Sequence, residues 1–288
     1  LHSHGQTTSD EVYKVLYSKL DSFIDLVFYI ESENEAKKLI ELAKKHNVCL
    51  IPFGGGTSVS NALKIPKSEK RMVVSVDTRR MNKIKELDEK NLLATVESGI
   101  LGIDLEKQLN NHGYTAGHEP DSIEFSTLGG WISTNASGMK KHRYGNIEDI
   151  VQNVTLITPN GIINQLKPLT RSSIGVKAQN LVFGSEGNFG IITKATIRIH
   201  KKPEASTFES ILFHQWEDGL NFMYDVSHSN LIPASSRLMD NSMVRFASAL
   251  KEEKTGYDKF INSVKNFIVF NVKGFNPKKC VVAIFKME

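Results

Sequence analysis

Apolar residues recur at Ala36, Leu39, Ile40 and Ala43 behind the quartet Ser32-Glu33-Asn34-Glu35. That i, i+3, i+4, i+7 stripe predicts an amphipathic helix, and Ser followed three places later by Glu predicts a capping box at its start. The helix should end near His46-Asn47. An uninterrupted apolar run, Val48-Cys49-Leu50-Ile51-Pro52-Phe53, then stops at three glycines, the pattern of a buried strand. Residues 72–76 and 92–96 are further strand candidates. Residues 104–111, with Leu105 and Leu109 on one face and Gly113 beyond the end, predict a helix. Alternating strands and helices call for an α/β layer with some parallel pairing.

Beyond residue 150 the pattern changes. Residues 151–158, the turn Pro159-Asn160-Gly161 and Ile162-Ile163 predict a hairpin with an Asn-Gly turn. Residues 191–199 predict a long strand with Ile191, Ala195, Ile197 and Ile199 on one face. The composition shifts at Lys201-Lys202-Pro203-Glu204, which marks a domain boundary, and there is no internal repeat. Between the two regions, residues 117–146 are small and polar with no helical or alternating period. Loops of that length inside a compact domain are usually functional.

Composition narrows the classes. With 288 residues, 40% hydrophobic and 24% charged, the chain can bury a core, so disorder is not in question. An excess of 36 Lys and Arg over 32 Asp and Glu is too small and too scattered to imply nucleic acid; a small anionic or phosphorylated ligand suits it equally well. Cys49 and Cys280 lie far apart without CxxC spacing, so neither a zinc site nor a disulfide framework is indicated, and no metal is expected. No stretch approaches the roughly 20 apolar residues that cross a bilayer, which predicts a soluble or peripheral protein. Both ends read as cut, so a targeting signal is not expected within these residues.

Three small-residue segments could carry chemistry. Pro52-Phe53-Gly54-Gly55-Gly56-Thr57-Ser58 places three glycines and two hydroxyls directly after a strand. Glycines let backbone N–H groups face a diphosphate, and the hydroxyls add donors. A flexible strand-end turn is the competing reading. The spacing is not G-x-G-x-x-G and not G-x-x-x-x-G-K-[ST], so the Rossmann and P-loop readings both fall. The second segment is Asp121-Ser122-Ile123-Glu124-Phe125-Ser126-Thr127-Leu128-Gly129-Gly130, followed by Ser133-Thr134-Asn135-Ala136-Ser137-Gly138. The third is Gly184-Ser185-Glu186-Gly187-Asn188-Phe189-Gly190-Ile191-Ile192. Three such loops, each abutting a strand, could together line an extended cofactor.

The set PFGGGTSVS, GHEPDSIEFSTLGGWISTNASGMKKHRYGNIED, FGSEGNFGIITKATIRI and ASSRLMDN resembles the FAD-binding domain of the vanillyl-alcohol-oxidase family. The resemblance covers about residues 20–250. It implies an α+β fold: two FAD-binding subdomains over residues 20–202 after an N-terminal segment 1–19, and a truncated α+β cap over 203–288. It also implies FAD contacts at Pro52, Phe53, Gly54, Gly55, Gly56, Thr57 and Ser58; at Asp121, Ser122, Ile123, Glu124, Phe125, Ser126 and Thr127; at Thr134, Asn135, Ala136 and Ser137; and at Glu186, Gly187, Asn188, Phe189, Gly190, Ile191 and Ile192. Some members hold FAD through a His beside the diphosphate loop. Here Thr57 and Ser58 follow Gly56, so FAD is expected to be non-covalent.

Within that family the resemblance is to an alkyl transferase of ether-lipid synthesis. The implied reaction exchanges the acyl chain of acyl-dihydroxyacetone phosphate for a long-chain fatty alcohol through a flavin N5 adduct, without net redox change. A peroxisomal setting is implied by the family alone; peripheral membrane contact and a homodimer stay open. The family's cap also carries a tyrosine and a histidine-rich segment absent from these residues, so little turnover is expected from this stretch by itself. The alternatives are an FAD-dependent 2-hydroxyacid dehydrogenase and a non-catalytic flavin-binding module.

Two residues are catalytic candidates. His118 is either a hydrogen-bonded loop residue or a proton carrier, and the resemblance adds weight to the second reading. Arg237 either grips a phosphate or carboxylate through its planar fork or pairs with Asp240. Lys140-Lys141-His142-Arg143 reads as a solvated charge run.

Overall fold

The structure, a computed structural model, describes residue 2 and residues 9–20, 22–165, 173, 175–250, 261, 263–265 and 267–288. The chain divides into two compact units, Leu1–Met139 with Tyr144–Lys202, and Lys140–Arg143 with Pro203–Glu288.

In the first unit, helix α1 (Ser9–Leu16) buries none of its residues, and β1 (Leu26–Tyr29) follows. Ser32 starts α2 (Glu33–His46) by accepting from the Glu35 N–H at 3.3 Å. The Glu35 carboxylate reaches back to the Glu31 N–H at 2.8 Å, one residue earlier than the reciprocal bond of a capping box. Asn47, left-handed at φ 53°, ends the helix, and Ala36, Ile40 and Ala43 are buried. Strands β2 (Cys49–Phe53) and β3 (Val73–Asp77) complete a parallel sheet of order β1-β3-β2. The central β3 is buried throughout. β2, expected to be buried, is half-buried except at Phe53, because as an edge strand it has one neighbour.

β4 (Ile84–Asp88) and β5 (Leu93–Glu97) lead to α3 (Gly102–Asn110) and the two-residue strand β6 (Tyr114–Thr115). The stretch without sequence periodicity contains α4 (Leu128–Thr134) and α5 (Lys141–Tyr144); α6 (Ile147–Ile150) follows directly. α4 escaped the pattern because its seven residues, among them two glycines, are too few for two turns of stripe. Its apolar Leu128, Trp131 and Ile132 are nonetheless buried at i, i+3, i+4. β7 (Val151–Thr158), β8 (Gly161–Ile163) and β9 (Ile191–Arg198) close an antiparallel sheet of order β4-β5-β9-β7-β8. β10 (His200–Lys201) pairs with β6. The hairpin between β7 and β8 turns on Pro159 and Asn160, and Gly161 opens β8 opposite Thr158, so the expected Asn-Gly turn is shifted by one residue.

Leu105, Leu109, Leu128, Ile132, Ile147 and Leu156 form one core with Ala195 and Ile197 of β9. Ile191, expected on that face, instead packs with Ile40 and Val76 in a second cluster. The register against β7 slips between Thr155 and Leu156, so β9 carries an extra residue, and this bulge turns Ile191 to the opposite face.

In the second unit β11 (Thr207–Phe213), β12 (Ser235–Met239) and β13 (Val281–Met287) form an antiparallel sheet of order β11-β13-β12, against which α7 (Trp216–His228) and α8 (Asn241–Ala249) pack. Asp240 caps α8, accepting from the Met243 N–H at 2.8 Å. In the basic run Lys141, His142 and Arg143 are exposed, as a solvated face requires, and two of the four residues also reach the last residue. Lys140 forms a 2.7 Å ion pair with Glu288, and Arg143 donates to the Glu288 carbonyl. Among the described residues no helix is long and apolar enough to cross a membrane.

Candidate cofactor site

The first unit carries a groove of about 430 Å³, a size suited to a small-molecule ligand. All seven residues of the β2 exit, Pro52, Phe53, Gly54, Gly55, Gly56, Thr57 and Ser58, line it. Among the described residues, none accepts a hydrogen bond from the backbone N–H of residues 54–58. Unpaired N–H groups on a ligand-sized groove form an anion-binding nest.

The glycines there serve different ends. Gly56 has φ +70°, a left-handed conformation favouring glycine. Gly54 and Gly55 are required by close approach to the second segment: a Cβ on Gly54 would lie 2.3 Å from Thr127 Oγ1, and one on Gly55 1.8 Å from the Phe125 carbonyl. Gly55 therefore fits one loop against another.

Ser122, Ser126 and Thr127 line the groove, whereas Asp121, Ile123, Glu124 and Phe125 do not. Ile123 packs against the core beneath α3, and Asp121, Glu124 and Phe125 are exposed. The Trp131 indole N–H donates to Ser126 Oγ at 2.8 Å, and Ser126 Oγ donates to the Ser122 carbonyl at 2.8 Å, fixing the indole in the wall. At the start of α4 the N–H groups are already used: Leu128 donates to Ile100, Gly129 to Ser98, and Gly130 to Thr127 Oγ1. The anion nest thus falls to residues 54–58 and not to this helix.

Thr134, Asn135, Ala136 and Ser137 all line the groove, as do Glu186, Gly187 and Ile192. The Gly184 N–H donates to the Ile132 carbonyl at 3.2 Å and the Glu186 N–H to the Ser133 carbonyl at 2.9 Å, so the third loop closes the C-terminal end of α4. Asn135 and Glu186 are left-handed at φ 50° and 48°. For Asn135 this is the left-handed cap that ends α4. Asn188, Phe189, Gly190 and Ile191 lie off the groove. Asn188 is turned to the Ser185 carbonyl, Phe189 is exposed, Gly190 abuts the Ile157 carbonyl, and Ile191 is turned away by the bulge.

Gly129, Gly130 and Ser133 of the second small-residue segment also line the groove, whereas sequence reasoning missed Ala62, Leu63, Thr78, Ser98 and Trp131 there. Thr78 and Ser98 sit one residue past β3 and β5, so the signal that found residues 54–58, small or hydroxyl residues at a strand exit, was present there too.

His118 is buried and does not line the groove. Its ring packs behind Trp131 with centroids 4.8 Å apart, and neither ring nitrogen meets a protein partner. Burial pushes its pKa down from 6.5 to about 4, so it is neutral at pH 7. Arg237 is an exposed residue of β12 in the second unit.

Residues 24–167 match the family described as FAD binding domain. Over 98% of its length the chain is 44% identical to an alkyldihydroxyacetonephosphate synthase of Caenorhabditis elegans, covering 47% of that protein. Over its whole length it is 34% identical to one of Dictyostelium discoideum, covering 46%. It is 28% identical over 78% of its length to the mitochondrial D-lactate dehydrogenase [cytochrome] 1 of Saccharomyces cerevisiae, covering 38% of it. A solved structure of alkyldihydroxyacetonephosphate synthase superposes with a TM-score of 0.88 at 32% identity, over the whole chain and 51% of that structure. The chain spans about half the length of the curated relatives it matches.

Proposed function

This chain belongs to the FAD-binding domain family, and on that footing we propose that it is the flavin-holding part of an alkyl transferase of ether-lipid synthesis. The observation that carries the reading is the nest of unpaired N–H groups at residues 54–58, bordered by Thr57, Ser58 and Ser122 hydroxyls in one groove. These residues fit the diphosphate of FAD, and Leu63, Trp131 and Ile192 offer apolar wall to its rings. Among the described residues that line the groove there is no His, Cys or Tyr to carry a covalent link, in keeping with non-covalent FAD.

When bound, the flavin supplies the electrophilic centre at which the acyl chain of acyl-dihydroxyacetone phosphate is exchanged for a long-chain fatty alcohol. The chain's own residues hold and orient. Residues 54–58 anchor the diphosphate, and Ser126 fixes the Trp131 wall. His118, neutral and with both ring nitrogens unpartnered, is the proposed carrier of a proton during exchange. Its place behind Trp131 requires that indole to yield during turnover. Arg237 offers a planar fork to a phosphate or carboxylate. Under this reading the protein works in the peroxisome at a membrane surface that supplies the alcohol.

The test is incubation of the FAD-loaded full-length protein with acyl-dihydroxyacetone phosphate and labelled hexadecanol. Label in an ether product with stoichiometric release of fatty acid supports the reading. Rapid bleaching of the flavin by D-lactate with no ether product assigns the protein to the 2-hydroxyacid dehydrogenases. A flavin inert to both substrates makes it a binding module.

A further inference from the structure

The backbone just ahead of His118 is held by a side chain outside the groove. Glu106 stands on α3, half-buried beside the core residue Leu105. One carboxylate oxygen accepts from the Thr115 hydroxyl at 2.7 Å. The other accepts from the backbone N–H groups of Ala116 at 3.0 Å and Gly117 at 3.2 Å. Three donors from three successive residues thus converge on one carboxylate, an acceptor-only group with lone pairs enough for all of them.

The turn they form admits little variation. Gly117 has φ +72°, and a Cβ there would lie 2.3 Å from the Tyr144 ring. The next residue is His118. Because its ring nitrogens meet no protein partner, its position is set by the backbone that carries it and by packing on Trp131 and Gly138.

We propose that Glu106 is a positioning residue that clamps the 115–117 turn and thereby holds the His118 ring in register behind Trp131. The proposal rests on the reading of His118 as the proton carrier only for its catalytic consequence; the clamp itself stands on the hydrogen bonds. Gln in place of Glu keeps one acceptor oxygen and turns an amide NH₂ towards the remaining donors, so it should loosen the turn without emptying the site.

The test is diethylpyrocarbonate labelling at pH 7, read residue by residue by peptide mass spectrometry, in the FAD-loaded full-length parent, Glu106→Gln and Glu106→Ala. In the parent, buried His118 should label at least tenfold more slowly than exposed His112. In Glu106→Gln, His118 should label about tenfold faster than in the parent while His112 keeps its rate, and kcat should fall with KM and flavin content unchanged. Glu106→Ala should go further in the same direction; if it does not fold, Glu106→Gln alone decides. An unchanged His118 labelling rate in a folded Glu106→Gln overturns the clamp. Faster labelling with parental kcat supports the clamp and removes His118 from proton transfer.

Discussion

Replacing His118 by Leu should flatten the acid side of the stability profile. His118 is 2% exposed, packed on Trp131, and its pKa is lowered from 6.5 to about 4 by desolvation. The sign follows from linkage. The unfolded chain takes up a proton below pH 6.5 that the folded chain refuses until about pH 4, so the folded state loses stability as pH falls through that window. At pH 5 the unfolded imidazole is almost fully protonated and the folded one almost not at all. Relative to pH 7, the loss from this one residue is about 2 kcal/mol at pH 5. His118→Leu removes the proton and the unpartnered ring nitrogens together, so its stability at pH 7 should match or exceed the parent's. The assay is urea unfolding at pH 7 and pH 5 followed by Trp131 fluorescence in a Trp216→Phe background, since these are the only two tryptophans. The drop in unfolding free energy between the two pH values should be about 2 kcal/mol smaller in the variant. Equal drops would refute the claim that His118 is held neutral by burial.

Other substitutions probe the groove and the elements around it. Gly55→Val drives a side chain into the Phe125 carbonyl, so FAD should be lost together with several degrees of melting temperature; loss of flavin with parental melting would restore a direct diphosphate contact as the reason for glycine there. Ser126→Ala strips the acceptor from the buried Trp131 indole and should cost about 1–3 kcal/mol in urea unfolding, with a shifted Trp131 emission. Ser32→Ala removes the N-cap of α2 and should cost about 1 kcal/mol, with no change in flavin content.

The α2 stripe, the strand exits and the hairpin could be read directly because each repeats a period or ends at a breaker. α4 could not, since seven residues with a Gly-Gly pair hold too little period, and its burial comes from partners distant in sequence. The face of Ile191 was misassigned because a bulge in β9 depends on its register against β7, which no local pattern encodes. At the site, residues 52–58 all reach the groove because a strand exit has one direction to go. Of the segments 121–127 and 186–192, three residues each reach the groove. A resemblance assigns contiguous runs, whereas turns such as 122–126 and the bulge send alternate residues to the core or to solvent. His118 was legible as chemistry but not as burial: nothing in Gly117-His118-Glu119-Pro120 announces that Trp131 closes over the ring.

The central claim, that residues 52–58 with Ser122, Ser126, Thr127, residues 133–137, Glu186, Gly187 and Ile192 form an FAD site, is tested most directly by flavin itself. The purified protein should be yellow, and acid precipitation should release one equivalent of free FAD into the supernatant, as non-covalent binding requires. Protein stripped of flavin should regain it on adding FAD, with a rise in melting temperature that grows with FAD concentration. A colourless protein whose melting temperature does not respond to FAD would contradict the account, and flavin that stays with the acid pellet would contradict its non-covalent part.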